Sequence, residues 1–224
     1  MNTAKIIAVT DPWIDTKDGH MTANEFIAYV ARVSNPSNQN NSLTADKLLR
    51  YLAKHKHWSP FEMVNIVMEI NTTRDIAHQI VRHRSFSFQE FSQRYADPTK
   101  DLGFVSREAR LQDQKNRQNS IETNDEQLAK NWEWLQIELQ NKANEAYSWA
   151  IENGIAKEQA RAVLPEGLTS TRLYMNGSLR SWIHYCQIRS GIETQKEHRL
   201  IALDAWYQIT EVFPSLKDAL DLGV

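Results

Sequence analysis

The sequence predicts an α/β (α+β) fold, a single domain over residues 1–224 in which helices surround a mostly antiparallel sheet and the C-terminal half is rich in helix. Three observations lead to this fold class. Apolar residues recur at helical spacing along most of the chain, a short segment near residue 65 alternates with period two, and the strand candidates follow no regular βαβ order. A chain of 224 residues buries roughly 70% of its unfolded surface, so its core needs no disulfide or metal.

Apolar residues three or four positions apart predict the helices. They are expected over residues 23–33, from 44 to a stop at 58–60, and over 73–84, 125–153, 157–164, 178–189 and 194–212. Pro60 ends the second helix because proline lacks a backbone N–H and restricts the residue before it. Gly154 directly follows the longest helix, where glycine is common. Gly191 and Pro214 are predicted helix breakers.

The clearest strand candidate spans residues 61–71, where the apolar residues at even positions from 64 to 70 alternate with their neighbours. Residues 168–175 are a second candidate. The stretch 97–124 is polar and loop-rich, with a short strand candidate at Phe104. Residues 35–42 (NPSNQNNS) are expected to form an exposed loop.

Composition excludes several kinds of function. With 26 basic and 28 acidic side chains the net charge is −2, which argues against a nucleic-acid partner. The single cysteine, Cys186, excludes an internal disulfide, and His55 and His57 diverge on a helix, so we predict no metal site. The glycines form neither a dinucleotide fingerprint nor a P-loop. No apolar window resembles a signal peptide or a membrane span, so we expect a cytoplasmic protein without a membrane partner.

Residues 82–95 (RHRSFSFQEFSQRY) form the densest polar cluster of the sequence. One interpretation is a solvated helix end, because cations near a helix C-terminus complement the helix dipole. The other is a binding site, since arginine binds phosphate bidentately and stacks on planar rings. The residues alone leave both open. A site of this kind suits an enzyme with an anionic small-molecule substrate, or alternatively a non-catalytic nucleotide- or RNA-binding protein.

The helix predicted over 178–189 has two distinct faces. A core stripe is formed by Leu179, Trp182, Ile183 and Cys186. The neighbouring polar face carries Arg180, His184 and Gln187, which are expected to be exposed. Cys186 lies on the apolar stripe and has no helix N-terminus beside it to lower the pKa of its thiol, so we interpret it as a small buried hydrophobic residue rather than a nucleophile.

Several segments of this chain resemble the flavin-dependent thymidylate synthases. Residues 82–95 match the pattern R-H-R-x-x-S-x-x-E-x-S-x-R-Y of that family. Further similar segments, in the same order along the chain, are ARVS at 31–34, HWSPFE at 57–62, ARAVLP at 160–165, NGSLRSWIH at 176–184 and QKEHR at 195–199. Together they span about three quarters of the sequence.

The resemblance implies a reaction, its cofactor and an assembly. In this family dUMP and 5,10-methylenetetrahydrofolate give dTMP, and FAD carries a hydride from NADPH. The flavin supplies the difficult chemistry, so the protein mainly orients the reactants, and no cysteine nucleophile is required. The resemblance also implies a homotetramer whose FAD sites are built from several subunits.

The resemblance further assigns roles to individual residues. The dUMP ligands are expected to be Gln79, Arg82, Glu90, Ser92, Arg94, Arg161 and Arg189. The FAD ligands are expected to be Ser59, Arg82, His83, Arg84, Glu90, Ser178, Arg180 and His184. Arg189 is the expected catalytic residue, facing the uracil ring and stabilising negative charge at N3 and O2. Ser92 has no base beside it in the sequence, so it is assigned to binding rather than nucleophilic attack.

The chain departs from the family pattern at a few positions. Gln89 stands where many members carry Asn, and Glu193 begins a segment that reads H-A-Q in another branch. Ser178 and His184 occupy positions that are Asn in some members. These last two changes bear on how the adenine half of FAD is held.

Overall fold

An antiparallel sheet lies at the centre of the protein, and helices pack against it. The structure is a computed structural model and describes residues 2–16, 19–220 and 222. Its strands are β1 (Thr3–Val9), β2 (Asp15–Thr16), β3 (Gly19–His20), β4 (Asn65–Thr73), β5 (Ser87–Glu90), β6 (Arg110–Gln112), β7 (Ser120–Glu122) and β8 (Ser170–Ser178). Its α-helices are α1 (Ala23–Ala31), α2 (Ala45–Lys54), α3 (Arg74–Ile80), α4 (Pro98–Asp101), α5 (Glu126–Glu152), α6 (Lys157–Ala160), α7 (Leu179–Arg189), α8 (Lys196–Val212) and α9 (Pro214–Ala219). Short 3-10 turns cover Pro36–Asn38, Ser59–Met63 and Arg161–Val163.

The central sheet has the strand order β1-β4-β8-β5, and every neighbouring pair is antiparallel. β4 and β8 pair along their full length, from Asn65 opposite Ser178 to Thr73 opposite Ser170. The predicted antiparallel sheet surrounded by helices is therefore confirmed. The predicted domain bounds, positions 1 and 224, lie outside the described residues.

The alternation along β4 places one face of the sheet in the core. Ile66, Met68 and Ile70 are fully buried, and Met175 and Leu173 of β8 lie directly opposite the last two. Helices α7 and α8 cover this face. Burying each of these side chains contributes roughly 1.5–3 kcal/mol, so the sheet and the two C-terminal helices form one cooperative unit.

Helix α5 has the ends that its sequence predicts. The Asp125 carboxylate accepts a hydrogen bond from the backbone N–H of Leu128 at 2.9 Å, which caps the N-terminus. Gly154 follows the C-terminus with a φ of 77° and donates to the carbonyl of Ile151. Among the described residues no helix is both long and apolar enough to cross a membrane.

The helix predicted over residues 73–84 ends early, at Ile80. The backbone N–H of His83 donates to the carbonyl of Ile80, and that of Phe86 donates to the carbonyl of His83, so the chain turns back on itself. This turn brings β5 into register with β8. Arg82 and His83 therefore lie in a turn rather than at the end of a helix, and part of the polar cluster after them, Ser87–Glu90, forms β5.

Other predicted boundaries also shift. The strand predicted from residue 61 begins at Asn65, because Ser59–Met63 forms a 3-10 turn that buries Phe61. Pro214 does not only end a helix but also begins α9, where a missing backbone N–H costs nothing. The edge strand β1 was not predicted, since only its last four residues form an apolar run.

Gly177 in β8 lies against the ring of Phe86. A Cβ at this position would lie 2.4 Å from a ring carbon, and the Phe86 ring itself packs at 4.9 Å from that of Trp182. We expect Gly177→Ala to lower the free energy of unfolding by roughly 1–3 kcal/mol, because the ring must move in a packed core. Urea unfolding measures this loss. Gly167→Ala is the matched control, since a Cβ there meets no atom within 4 Å, and equal losses in both variants would contradict the expectation.

Candidate functional site

Most of the predicted site residues belong to three groups of contacts, each of which includes residues far apart in the sequence. The first joins the C-terminal end of α7 to the turn after α3. The second lies around β5 and the segment 158–161. The third lies at the N-terminus of α7. Each of these groups contains at least one charged side chain held by a residue distant in sequence.

In the first group, Arg189 is held by His83. The guanidinium Nε of Arg189 donates to Nε2 of His83 at 3.0 Å, so that ring nitrogen must be unprotonated. Burial, followed by the charges of Arg189 and His184, lowers the pKa of His83 to about 4. At neutral pH His83 is therefore an uncharged acceptor that fixes the orientation of Arg189.

The terminal nitrogens of Arg189 remain open to a ligand. Among the described residues, none accepts a hydrogen bond from either of them. Gln79 belongs to the same group, with its amide nitrogen 2.9 Å from Oε1 of Gln195 and its amide oxygen 3.3 Å from Nδ1 of His198. The structure thus brings together Gln79, His83 and Arg189, which the resemblance assigned to the substrate and the flavin.

The second group is built around Glu90. Its Oε1 accepts from the guanidinium of Arg74 at 2.6 Å and from the hydroxyl of Thr171 at 2.8 Å. Arg74 and Arg161 line a common cavity of about 310 Å³. Two guanidinium groups around a cavity suit an anion such as a phosphate.

Two more predicted ligands lie near this second group. Arg94 forms an exposed ion pair with Glu158 at 3.5 Å, one turn before Arg161. Ser92 is half-buried, and its hydroxyl oxygen accepts from the backbone N–H of Arg94 at 3.4 Å. Neither contact activates the Ser92 hydroxyl, which agrees with a binding role.

The third group is organised by Glu62. One carboxylate oxygen accepts from the Ser178 hydroxyl and the other from the Arg180 guanidinium, both at 2.6 Å. The Ser178 hydrogen bond and the charge of Arg180 hold the pKa of Glu62 below its usual value, so it is ionised. Glu62 and Arg180 border a cleft of about 490 Å³ that is also lined by Trp58, Ser85, Ile183, His184 and Gln187.

The side chains of this cleft and of the turn after α3 fit a flavin that carries phosphate groups. Arg82 and Arg84 are exposed, and within the part of the chain that the structure describes neither guanidinium has a side-chain partner. They can therefore bind a diphosphate, while the half-buried ring of Trp58 offers aromatic surface to a ring system. Ser59 is exposed at the start of its 3-10 turn. The expected exposed face of α7, with Arg180 and His184, is confirmed, as is the buried stripe beside it.

Sequence reasoning missed four residues that hold these groups together: Glu62, Arg74, Tyr185 and His198. Glu62 and His198 lie inside segments that resemble the family pattern, so their positions were visible but not their roles. Arg74 and Tyr185 carried no signal. Each of these residues contacts another segment of the chain, at separations from the 13 positions between Tyr185 and His198 to the 116 positions between Glu62 and Ser178.

The chain is similar in sequence to known proteins. The family model described as thymidylate synthase complementing protein matches residues 19–215. A probable flavin-dependent thymidylate synthase of Paramecium bursaria Chlorella virus 1 is 48% identical over 219 residues, which cover 98% of this chain and 99% of that one. A flavin-dependent thymidylate synthase of Synechocystis sp. is 48% identical over 217 residues, covering 97% and 98% of the two chains.

Solved structures share the fold. The UMP/dUMP methylase PolB from Streptomyces cacaoi, bound with 5-Br dUMP, superposes with a TM-score of 0.77. The superposition covers 98% of this chain and 94% of that one at 22% sequence identity. At this level of identity the likeness concerns the fold alone.

Proposed function

The chain belongs to the flavin-dependent thymidylate synthase family, and on that premise we propose that it makes dTMP with 5,10-methylenetetrahydrofolate as carbon donor, NADPH as reductant and FAD as flavin. Family membership makes the protein a flavoprotein methyltransferase of dTMP biosynthesis that acts on dUMP. It favours an enzyme over the non-catalytic nucleotide- or RNA-binding protein that the arginine and aromatic cluster also allowed. The cytoplasmic location and the absence of nucleic-acid and membrane partners stay predictions of the sequence.

The contact between Arg189 and neutral His83 is the observation that carries the catalytic assignment. It aims a guanidinium whose terminal nitrogens are open within the described residues. A cation in this position stabilises negative charge at N3 and O2 of the uracil ring, which makes C5 more reactive. His83 holds the guanidinium in its orientation before the substrate binds. This matters because a hydrogen-bond donor that does not have to move during the reaction stabilises the transition state most strongly.

The remaining dUMP ligands are proposed from the second group. Arg161, which lines the same cavity as Arg74, would bind the phosphate. Arg94 lies nearby, because its ion-pair partner Glu158 is one helical turn before Arg161. Glu90 is fixed by Arg74 and would accept hydrogen bonds from the nucleotide. Arg82, Ser92 and Gln79 complete the proposed set.

The FAD ligands are proposed from the third group and the turn after α3. Arg82, His83 and Arg84 lie in that turn, Ser178 and Arg180 are held by Glu62, and His184 lines the same cleft. Ser59 and Glu90 complete the proposed set. When bound, the flavin supplies the hydride-transfer chemistry. The chain's own side chains orient the two ring systems and neutralise the phosphates.

The experiment that tests the proposal is reconstitution and turnover. The purified protein is incubated with FAD, freed of excess, and its visible flavin absorption is measured. It is then assayed for dTMP from dUMP with the folate and NADPH, omitting each in turn. We expect bound flavin and a requirement for all three reactants. A protein that retains no flavin, or forms dTMP without FAD, would refute the proposal.

Cys186 provides a second, independent check of the chemistry. It is fully buried, and burial raises the pKa of its thiol, so it is protonated and inaccessible. We expect Cys186→Ala to form dTMP within about twofold of the wild-type rate, with a loss of about 1 kcal/mol in stability from the small cavity. Loss of turnover in a variant that still folds and binds FAD would point to a thiol mechanism.

The exposed apolar stripe on α5 supports the proposed homotetramer. Four residues spaced at four, three and four positions share one side of the helix, and each is between 39% and 53% exposed: Leu128, Trp132, Leu135 and Leu139. This spacing is that of a helix that packs against another helix. Large apolar surface of this kind marks a protein interface. We propose a second copy of this chain as its partner.

Charge introduced into this stripe should reduce the size of the assembly. We expect the double variant Leu135→Glu, Leu139→Glu to elute as a smaller species than the wild type, because a buried unpaired carboxylate is costly. Light scattering after size exclusion measures the mass. Lys130→Glu, at an exposed polar position of α5, is the control and should leave the mass unchanged. An unchanged mass in the double variant would place the interface elsewhere.

A further inference from the structure

His198 is a fully buried histidine that was not among the predicted site residues. It lies on α8 between α7 and α3. Its Nε2 is 3.1 Å from the hydroxyl of Tyr185, and its Nδ1 is 3.3 Å from the amide oxygen of Gln79. Both ring nitrogens are therefore occupied, one on the side of the core and one on the side of the proposed dUMP site.

A carboxylate fixes the direction of the hydrogen bonds that begin at His198. The amide nitrogen of Gln79 donates to Gln195 at 2.9 Å, and that of Gln195 donates to Glu197 at 3.0 Å. Burial alone would raise the pKa of Glu197, but its hydrogen bond to Arg110 and the charge of Arg107 hold it below its usual value. Glu197 is thus ionised and can only accept, so each amide must turn its nitrogen towards it.

The same direction determines the tautomer of His198. With its nitrogen towards Gln195, Gln79 presents its oxygen to Nδ1 of His198, which must therefore carry the proton. Nε2 then accepts from Tyr185, whose hydroxyl stays protonated because burial raises its pKa. Burial, with the charges of Arg189 and His83, lowers the pKa of His198 to about 3, so the ring is neutral. The hydrogen bonds run one way, from Tyr185 to Glu197.

We propose that His198 is a positioning residue for dUMP binding: its Nδ1–H bond holds the oxygen end of the Gln79 amide while Gln195 holds the nitrogen end, so that the second N–H of Gln79 is presented to the nucleotide. The proposal rests on the proposed function, in which Gln79 is a dUMP ligand. Without the bond only Gln195 holds the amide, and the second N–H is no longer kept in the direction that the nucleotide needs. The affinity for dUMP then falls although His198 never touches it.

Two variants of equal shape test this role. His198→Asn keeps an N–H at the position of Nδ1, whereas His198→Leu has the same branching without a donor. The Kd of dUMP is measured by calorimetry on the FAD-loaded proteins. We expect His198→Leu to raise the Kd about 3- to 10-fold, the value of one hydrogen bond, and His198→Asn to restore most of it. The FAD content should be unchanged in both.

A control and a double variant separate positioning from a general structural effect. Thr210→Val alters another buried polar residue of α8, whose hydroxyl donates to the carbonyl of Tyr207, and should leave the Kd of dUMP unchanged. If His198 acts through Gln79, adding His198→Leu to Gln79→Ala should have no further effect on that Kd.

Each contrary result has a distinct meaning. Equal Kd values for His198→Asn and His198→Leu, or additive effects in the double variant, would overturn the positioning role. If Gln79→Ala binds dUMP as the wild type does, Gln79 is not a ligand and the proposal falls with that assignment. Wild-type protein that binds FAD but not dUMP would instead refute the proposed function itself.

Discussion

Replacement of Arg189 by alanine is expected to abolish dTMP formation while leaving FAD bound. The guanidinium of Arg189 is held by neutral His83 and has two terminal nitrogens open towards the proposed uracil site. Loss of a preorganised hydrogen-bond donor that stabilises the charge formed in the transition state lowers the turnover number by roughly 10²–10³-fold. Steady-state dTMP formation and the visible flavin absorption of the same preparation measure the two quantities.

Two further variants make the Arg189 result specific. Arg189→Lys keeps a positive charge but loses the planar guanidinium that His83 orients, so we expect an activity between wild type and alanine. Arg50→Ala removes an arginine that is half exposed and paired with Asp218, and it should leave turnover unchanged. Full turnover in Arg189→Ala would show that another group stabilises the charge on the pyrimidine.

Acid is expected to destabilise the protein through two neutral histidines, the fully buried His198 and the half-buried His83. His83 has a pKa of about 4 and His198 of about 3, both below the ordinary value of 6.5. Below pH 6.5 the unfolded chain takes up protons that the folded protein does not, so the free energy of unfolding falls as the pH drops from about 6.5 towards 3. From about one pH unit above 6.5 both rings are neutral in both states, and they contribute no further pH dependence.

The loss of unfolding free energy that comes from His198 is large enough to be measured separately from that of other titrating groups. Between pH 6.5 and 5, His198 alone should cost about 2 kcal/mol, and the half-buried His83 less. Urea unfolding at pH 7.5 and pH 5 measures the loss. His198→Leu lacks the titrating ring and should lose about 2 kcal/mol less than the wild type, whereas Thr210→Val should lose as much as the wild type. Parallel losses in wild type and His198→Leu would contradict a neutral buried His198.

The parts of the fold that sequence predicted well are those that local spacing determines. Helix α5 has its cap at Asp125 and its terminal glycine at Gly154, both within a few residues of the helix ends. The apolar stripe of α7 is buried as its three- and four-residue spacing requires. These features need no information from elsewhere in the chain, because a helix satisfies its own backbone hydrogen bonds.

The turn after α3 shows where local spacing fails. Val81 continues the helical pattern, yet the helix ends at Ile80 and the chain bends so that β5 can pair with β8. The hydrogen bonds of β5 come from residues about 85 positions further on, such as Asn176 opposite Ser87. The periodicity of a short segment cannot indicate which distant strand it pairs with, so the pairing of β5 with β8 could not be predicted from it.

The candidate site also has a part that the sequence identified and a part that only the folded structure shows. The residue types and their order identified the family, and with it the arginines and the glutamine that we propose as ligands of dUMP. What positions them could not be seen in one segment, because Glu62 reaches Ser178, His83 reaches Arg189 and His198 reaches Gln79 only after folding.

By itself the sequence determined the helices α1, α5, α7 and α8, the alternation of β4 and the buried cysteine, which follow from residue types at short spacing. Its resemblance to known sequences also identified the family of the protein. Only the tertiary structure decided where α3 ends, which tautomer His198 adopts and which side chain aims Arg189. These depend on burial and on hydrogen bonds between segments that are separate in the sequence, such as the bond across the 106 positions between His83 and Arg189. A neutral histidine and a fixed amide exist because water has been excluded around them.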